Sequence, residues 1–269
     1  MSKAFDNDSS DNRQMRIVSY NILDGGEGRA DPLAEVILAQ KPDVVALVEA
    51  ENVEVLARIA KRLGMDFVQA MGKKKASALL SRFPIRDSIN HAAVEKKLSK
   101  SFLEATVIDA SGNPWTFGVV HLPAHALEEN EERREDELKI ILEAFKPLRK
   151  SRTRHVLCGD FNSNSPVQKI DIAKCKKATQ KEFAENGNKI PRRVVQKLLD
   201  AGYIDSLHVF DAKAAETAGT FTTQHPGQRV DYFFAFGFDP KNIRNAWIET
   251  DRLAKYASDH FPIGVEIAQ

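Results

Sequence analysis

The chain has 269 residues, 42% of them hydrophobic and 29% charged, which supplies both a packed core and a solvated surface and excludes general disorder and fibrous repeats. A formal net charge of +1 provides no whole-molecule field toward nucleic acid or an anionic membrane, so a nucleic-acid role needs a local patch. The two cysteines, Cys158 and Cys175, have no CxxC spacing and suggest neither a disulfide framework nor a thiolate zinc site; a reducing compartment is expected.

The first residues, MSKAFDNDSSDNRQM, are acidic and polar where a secretory signal needs a basic start and an apolar stretch. Residues 1–15 are expected to be a disordered tail, with one domain over 16–269. The longest apolar runs, around Val44 to Val48 and Phe233 to Phe236, fall far below the roughly 20 residues that span a bilayer. A cytoplasmic monomer without a transmembrane segment is expected.

In chain order, RIVSYNIL over 16–23 and DVVALVE over 43–49 read as short apolar strands. Between them lies a helix, with Asp31 placed to cap it, Pro32 in its first turn, and Leu33, Val36 and Ile37 at helical spacing. A second helix is predicted over about 52–63, with Val55, Leu56, Ile59 and Leu63 on one face and Gly64 as its stop. FVQAM, ASALLSRF, SFLEATVIDA and WTFGVVHL then read as strands, the last two joined by a tight turn at SGNP. A long helix follows over about 128–146, ended by Pro147. Leu138, Ile141, Leu142 and Phe145 form its core face, and the charge run EENEERREDE is expected to be solvated.

HVLCGDFN over 155–162 reads as a buried strand ending in a polar turn, and 163–189 as a long polar connection. A helix over about 192–201 carries Val194, Val195, Leu198 and Leu199. TFTT, RVDYFFAF, IRNAWIET and FPIGVEI close the chain as strands. With no repeat and no Gly/Ser/Pro linker, the pattern predicts one α/β domain containing much antiparallel strand.

Several strand ends finish in residues able to hold a metal or a phosphate: Asn21, Glu49, His121, Asp160 with Asn162, and the Ser258-Asp259-His260 run that opens the last strand. Apolar bodies with carboxylate, amide and imidazole tips converge if the strands lie side by side. Hard oxygen ligands favour magnesium or manganese over zinc. Taken alone, each has a plainer reading: Glu49 as a surface residue at a helix start, Gly-Asp-Phe-Asn as an ordinary polar turn. His91, His125, His155, His208 and His225 are read as structural, and Phe161, Phe233 and Phe234 as core.

VSYNIL, VALVEAE, ALLSRFPI, VVHLPAH, LCGDFNS, GTFTT, RVDYFF and SDHFPI, in this order, resemble the endonuclease/exonuclease/phosphatase superfamily over nearly the whole chain. GDFN alone is weakly specific; GDFN, RVDY and SDH together, with an upstream Glu and HL, are strongly so. The resemblance implies an α/β fold, a two-sheet sandwich of mixed, largely antiparallel strands flanked by helices. It implies Glu49 as principal metal ligand, Asn21 near both metal and phosphate, and Asp259 next to the metal. Asp160 would orient or deprotonate the attacking water. Asn162, His121 and His260 would bind phosphate, and Asp231 would pair with His260. Val48 stands where the family often has Gln, and Leu23 where its AP endonucleases often have Asp; no metal role is carried onto the neighbouring Asp24.

The expected activity is therefore metal-dependent phosphate-ester hydrolysis, Mg2+ being the cofactor and Mn2+ a substitute. A phosphodiesterase or nuclease-like substrate leads, and a phosphorylated metabolite or lipid headgroup is the alternative. Lys73 to Lys75 and the run from Lys146 to Arg154 are candidate grips on a nucleic-acid backbone, opposed by the acidic stretch 128–137. A catalytically silent binding module should have lost some of these groups, whereas Glu49, His121, Asp160, Asn162, Asp231, Asp259 and His260 are all present.

Overall fold

A computed structural model of the chain describes residues 14–268. Its strands are β1 (Gln14–Asn21), β2 (Val44–Val48), β3 (Asp66–Met71), β4 (Ala76–Ser81), β5 (Ile85–Asn90), β6 (Phe102–Ile108), β7 (Pro114–His121), β8 (His155–Asp160), β9 (Ile204–Asp205), β10 (Asp231–Phe236), β11 (Ile243–Ile248) and β12 (Ile263–Ala268). The main helices are α1 (Ala30–Ala39), α2 (Val53–Leu63), α3 (His91–Val94), α4 (Glu128–Ala144), α5 (Lys146–Lys150), α6 (Lys177–Glu185) and α7 (Arg193–Asp200). The strands form two six-stranded sheets, ordered β11-β12-β1-β2-β4-β3 and β5-β6-β7-β8-β10-β9. Each has one parallel pair at its centre, β1 with β2 and β7 with β8, among antiparallel neighbours.

The sheets pack face to face through Ile17, Val44, Ala46, Val48 and Leu79 on one side and Leu103, Phe117, Val119, Val156, Cys158 and Phe233 on the other. On its outer face the first sheet is covered by α1 and α2 through Leu33, Ile37, Leu56 and Ile59; the second is covered by α4 and α7 through Leu138, Ile141, Val194 and Leu198. A central strand covered on both faces has no solvent side, which is why β2 is apolar throughout rather than alternating. The sandwich and its flanking helices are as the sequence led us to expect.

Local expectations differ from the structure in instructive places. Residues 1–13 of the expected tail lie outside the described residues, while Gln14 and Met15 belong to β1, opposite Ala268 and Ile267. Asp31 lies inside α1, ion-paired with Arg58, and Arg29 stands at the cap position, its side chain donating to the carbonyl oxygens of Ile22, Leu23 and Ala257 and not capping the helix. Pro147 sits at the start of α5, where its missing N–H costs nothing, after α4 has already ended at Ala144. TFTT is no strand; Phe221 makes only isolated bridges to Gln228 and His260. The 163–189 connection contains α6, whose nine residues bury only Thr179, so no apolar stripe announces it. The EENEERREDE run is not wholly solvated: Glu131, Arg134 and Glu137 are buried.

Among the histidines read as structural, His155 fits that role. It is buried, with Nδ1 against the Thr153 carbonyl oxygen and Nε2 against the Tyr203 hydroxyl. Burial pushes its pKa down to about 4, so the folded protein holds it neutral. Because the folded value lies below the unfolded one, this stabilisation is present above about pH 6.5 and is lost as pH falls through about 4. A His155→Gln variant should be less stable near neutrality and lose less stability than the parent, by about 3 kcal/mol, between pH 7 and 4. Chemical denaturation at the two pH values checks this; equal losses would mean that His155 is not held neutral.

Candidate active site

The C-terminal ends of β1, β2, β7 and β8 lie at the same edge of the sandwich: Asn21 is beside Val48 in one sheet, His121 beside Asp160 in the other, and Asn21 reaches Asp160 across the two. Antiparallel β10 starts there, with Asp231 opposite Asp160. The turn before β12 brings Ser258, Asp259 and His260 to the same place, anchored by Ser258 Oγ donating to the Asn21 carbonyl oxygen at 2.7 Å. Six strands thus deliver the candidate residues to one cluster.

Asp160 is its hub. Its Oδ1 accepts the Asn162 backbone N–H at 2.9 Å, and its Oδ2 accepts from Asn21 Nδ2 at 3.2 Å. The same Oδ2 lies 3.5 Å from His121 Nε2 and 3.8 Å from His260 Nε2. Burial raises the Asp160 pKa to about 6, and the neighbouring His260 works against that rise. Behind His260, Nδ1 meets Asp231 Oδ2 at 2.9 Å, the contact that the family resemblance implies. Burial disfavours the His260 imidazolium, yet Asp231 and Asp160 outweigh it and raise the pKa to about 9. The Phe221 ring covers the imidazole, with centroids 4.6 Å apart.

Glu49 follows β2 in a left-handed conformation, φ 57°, as do Leu23 and Asp24 in the turn after β1, φ 55° and 47°. Bulky residues adopt such values only where the surroundings impose them, and they gather at functional sites. Here the two turns are tied together: the Asp24 N–H donates to Glu49 Oε2 at 3.0 Å, and the Gly25 N–H to the Glu49 carbonyl oxygen at 2.9 Å. Gly25 admits this approach, since a Cβ on it would lie 2.8 Å from the Asn52 side chain. Burial opposes ionisation of Glu49, but the Asp24 N–H and the Lys75 ammonium overcome it and hold its pKa below the usual carboxylate range.

Lys75 donates to Asp24, Glu49 at 2.6 Å and Glu51 at 3.1 Å, so three carboxylates converge on one positive charge. Asp259 lies near Glu49 and has a buried Oδ1 without a hydrogen-bond partner. Converging carboxylates and an orphaned carboxylate oxygen are the donor set of a hard divalent cation, so these residues fit a magnesium or manganese ion. Asn21 fits a phosphate better than a metal: its Oδ1 accepts the Leu23 N–H, and its Nδ2 faces Asp160 and His260.

Asn162, also left-handed at φ 49°, donates through Nδ2 to the Leu122 carbonyl oxygen and borders a pocket of about 100 Å³ lined also by His125, Lys176, Thr179 and Phe221. The α6 segment therefore supplies one wall beside the centre. Buried Arg134 fastens the loop after β7, donating to Glu131 and to the carbonyl oxygens of Pro123 and His125. Glu131 in turn accepts from Ser163 Oγ and the Val194 N–H. The acidic stretch is thus partly a scaffold under the HL segment, rather than wholly a repulsive face.

Reading by motif misses Lys75, Glu51 and Asp24, and also Lys100, which lies against His121. Lys75 stands in the sequence only as part of a charge run, and Lys100 carries no motif signal. The run from Lys146 to Arg154 precedes His155 at the start of β8, the opposite end of that strand from Asp160, and so does not border the cluster.

Residues 18–260 match the Endonuclease/Exonuclease/phosphatase family, and the chain belongs to that family. Its fold is similar to that of an AP endonuclease from Archaeoglobus fulgidus, at 20% identity and TM-score 0.70 over 93% of this chain and 98% of that one. A variant of the 3' phosphatase NExo from Neisseria, bound to product DNA hairpin, aligns at 20% identity and TM-score 0.72, over 95% and 100%. Truncated TDP2 from Caenorhabditis elegans aligns at 16% and TM-score 0.66, over 95% and 98%. No curated protein matches the chain. Among the described residues, no helix is long and apolar enough to cross a membrane.

Proposed function

We propose that the protein is a metal-dependent hydrolase of phosphate esters, with phosphodiesters such as a nucleic-acid backbone as the leading substrate class. The observation that carries this reading is the single cluster in which an Asp231-supported His260, a buried Asp160 and the amide of Asn21 come together, with the Asp24, Glu49 and Glu51 carboxylates alongside. Family membership and the DNA-related names of the structural neighbours support it.

A phosphate ester repels an incoming nucleophile, so charge accumulating on its oxygens must be neutralised as water attacks in line. Glu49, with Asp24, Glu51 and Asp259 about it, would hold Mg2+ or Mn2+, which when bound supplies Lewis-acid neutralisation of a phosphate oxygen. Asp160 would align the water and accept its proton as the new phosphorus–oxygen bond forms and the bond to the leaving oxygen breaks. Burial suits it to that task by raising its basicity into the range where it is ionised near neutrality yet able to take a proton. His260, charged below about pH 9, and the Asn21 amide would donate to the remaining oxygens, and Asp231 holds His260 in orientation.

The substrate class is tested by a metal-dependent turnover screen setting abasic DNA, single-stranded DNA and RNA against inositol phosphates, sphingomyelin and phosphomonoesters. Turnover of a nucleic acid above all others is expected. Preference for a small phosphomonoester or a lipid headgroup would replace the leading substrate with the alternative, and no turnover of any ester would favour a binding module.

A further inference from the structure

The two imidazoles of the cluster are built differently. His260 has Asp231 behind it, whereas His121 Nδ1 is buried with no hydrogen-bond partner. His121 Nε2, the nitrogen facing Asp160, takes a hydrogen bond from the Lys100 ammonium. An ammonium has donors only, so this nitrogen acts as acceptor, and an accepting nitrogen cannot at the same time donate to a phosphate oxygen. The donor at this corner of the site is therefore Lys100, which has three N–H groups and uses one of them on His121.

Lys100 also differs from three other enclosed cations. Arg134 is paired with Glu131, Arg229 with Asp205, and Lys75 with three carboxylates. Among the described residues, no carboxylate lies within ion-pair distance of Lys100, although Asp160 and Glu49 are close enough to act on its charge and burial works against that charge. An enclosed ammonium without a counter-ion is costly unless an anion is brought to it. Its backbone is fixed for the purpose. The His121 N–H donates to the neighbouring Ser101 carbonyl oxygen, Ser101 and Ser77 share a hydroxyl hydrogen bond, and Gly72 packs so tightly on the Lys100 carbonyl that a Cβ there would lie 2.1 Å from its oxygen.

We propose that Lys100 is a catalytic residue that donates to a non-bridging oxygen of the substrate phosphate, and that His121 is the positioning residue that accepts from Lys100 and aims it. The proposal rests on the hydrolase reading above and moves the phosphate contact at this corner from His121 to Lys100. In the reaction, Lys100 forms no covalent bond and transfers no proton; it neutralises charge that grows on the oxygen as water attacks.

The test compares the wild-type protein with Lys100→Met and Lys100→Arg. It measures kcat and KM on bis-p-nitrophenyl phosphate, calorimetric affinity for inorganic phosphate in magnesium buffer, magnesium affinity, and Tm. Lys100→Met should lower kcat on the order of 100-fold and weaken phosphate binding about 10-fold, with magnesium affinity and Tm no lower than wild type, since a positive charge has been removed from beside Glu49 and an unpaired enclosed charge from the fold. Lys100→Arg, which keeps a charged donor, should recover most of both. Lys100→Gln replaces the Met variant if that lowers Tm. Phosphate affinity and kcat within about twofold of wild type in Lys100→Met would overturn the proposal. So would a fall in kcat with phosphate affinity intact, since Lys100 would then act only by holding His121. If the wild-type protein hydrolyses no ester while Lys100→Met still weakens phosphate binding, the hydrolase reading fails and the phosphate contact stands.

Discussion

Exchanging Asp231 for Asn should cost on the order of 100-fold or more in turnover while leaving the fold intact. The shapes match, so the β10–β8 register opposite Asp160 survives, but the carboxylate that holds the His260 imidazolium is gone. The His260 pKa should then fall from about 9 toward the ordinary histidine range, an effect read directly by NMR titration of the metal-free protein. The defect should fall mainly on kcat, because the charge His260 meets on the phosphate is greatest in the transition state. Asp231→Asn and His260→Ala should also be non-additive, since either disables the same unit. Additive losses in that double-mutant cycle, or an unaltered His260 titration, would leave Asp231 with a structural role only.

Glu49→Gln should weaken magnesium or manganese binding at least about 100-fold with circular dichroism and Tm little changed. A neutral amide is a poor ligand for a hard cation, and removal even of outer-shell partners typically costs about 10–100-fold. The backbone ties at this turn, from Gly25 to the Glu49 carbonyl oxygen and from Ala50 to the Ala76 carbonyl oxygen, do not depend on the side-chain charge. Metal affinity within a few-fold of wild type by calorimetry would place the principal ligand elsewhere, most directly on Asp24, Glu51 or Asp259.

Much of the architecture is legible in the sequence because tertiary burial and local pattern agree. The unbroken apolar run of β2 reflects a strand covered on both faces, and Asn52 and Gly64 bracket α2 with a cap hydrogen bond and a left-handed stop. The strand-end residues can be found for the same reason: Asn21, His121, Asp160 and Asp231 stand out as polar tips on apolar bodies; register brings the last three together in one sheet, and the packing of the two sheets adds Asn21.

What escapes a sequence reading is what depends on distant partners. Glu131 and Arg134 look like members of a solvated charge run, and only the loop after β7 and the start of α7 turn them into a buried clamp. Nothing local separates Lys75 from Lys73 and Lys74, yet it alone is drawn among three carboxylates. The α6 helix has too little apolar surface to leave a periodic trace. Asp24 stands one residue beyond the position the family pattern marks. The left-handed turn at Leu23 and Asp24 nevertheless brings it against Glu49 and Lys75.

The central claim is that a divalent cation and the Asp160 cluster together hydrolyse phosphate esters. Turnover of bis-p-nitrophenyl phosphate by the full chain, followed with magnesium present, in excess chelator, and after magnesium or manganese is restored, tests it most directly. The account predicts measurable hydrolysis with metal, its abolition by the chelator, and recovery on adding metal back. Hydrolysis that continues unchanged in excess chelator would contradict it.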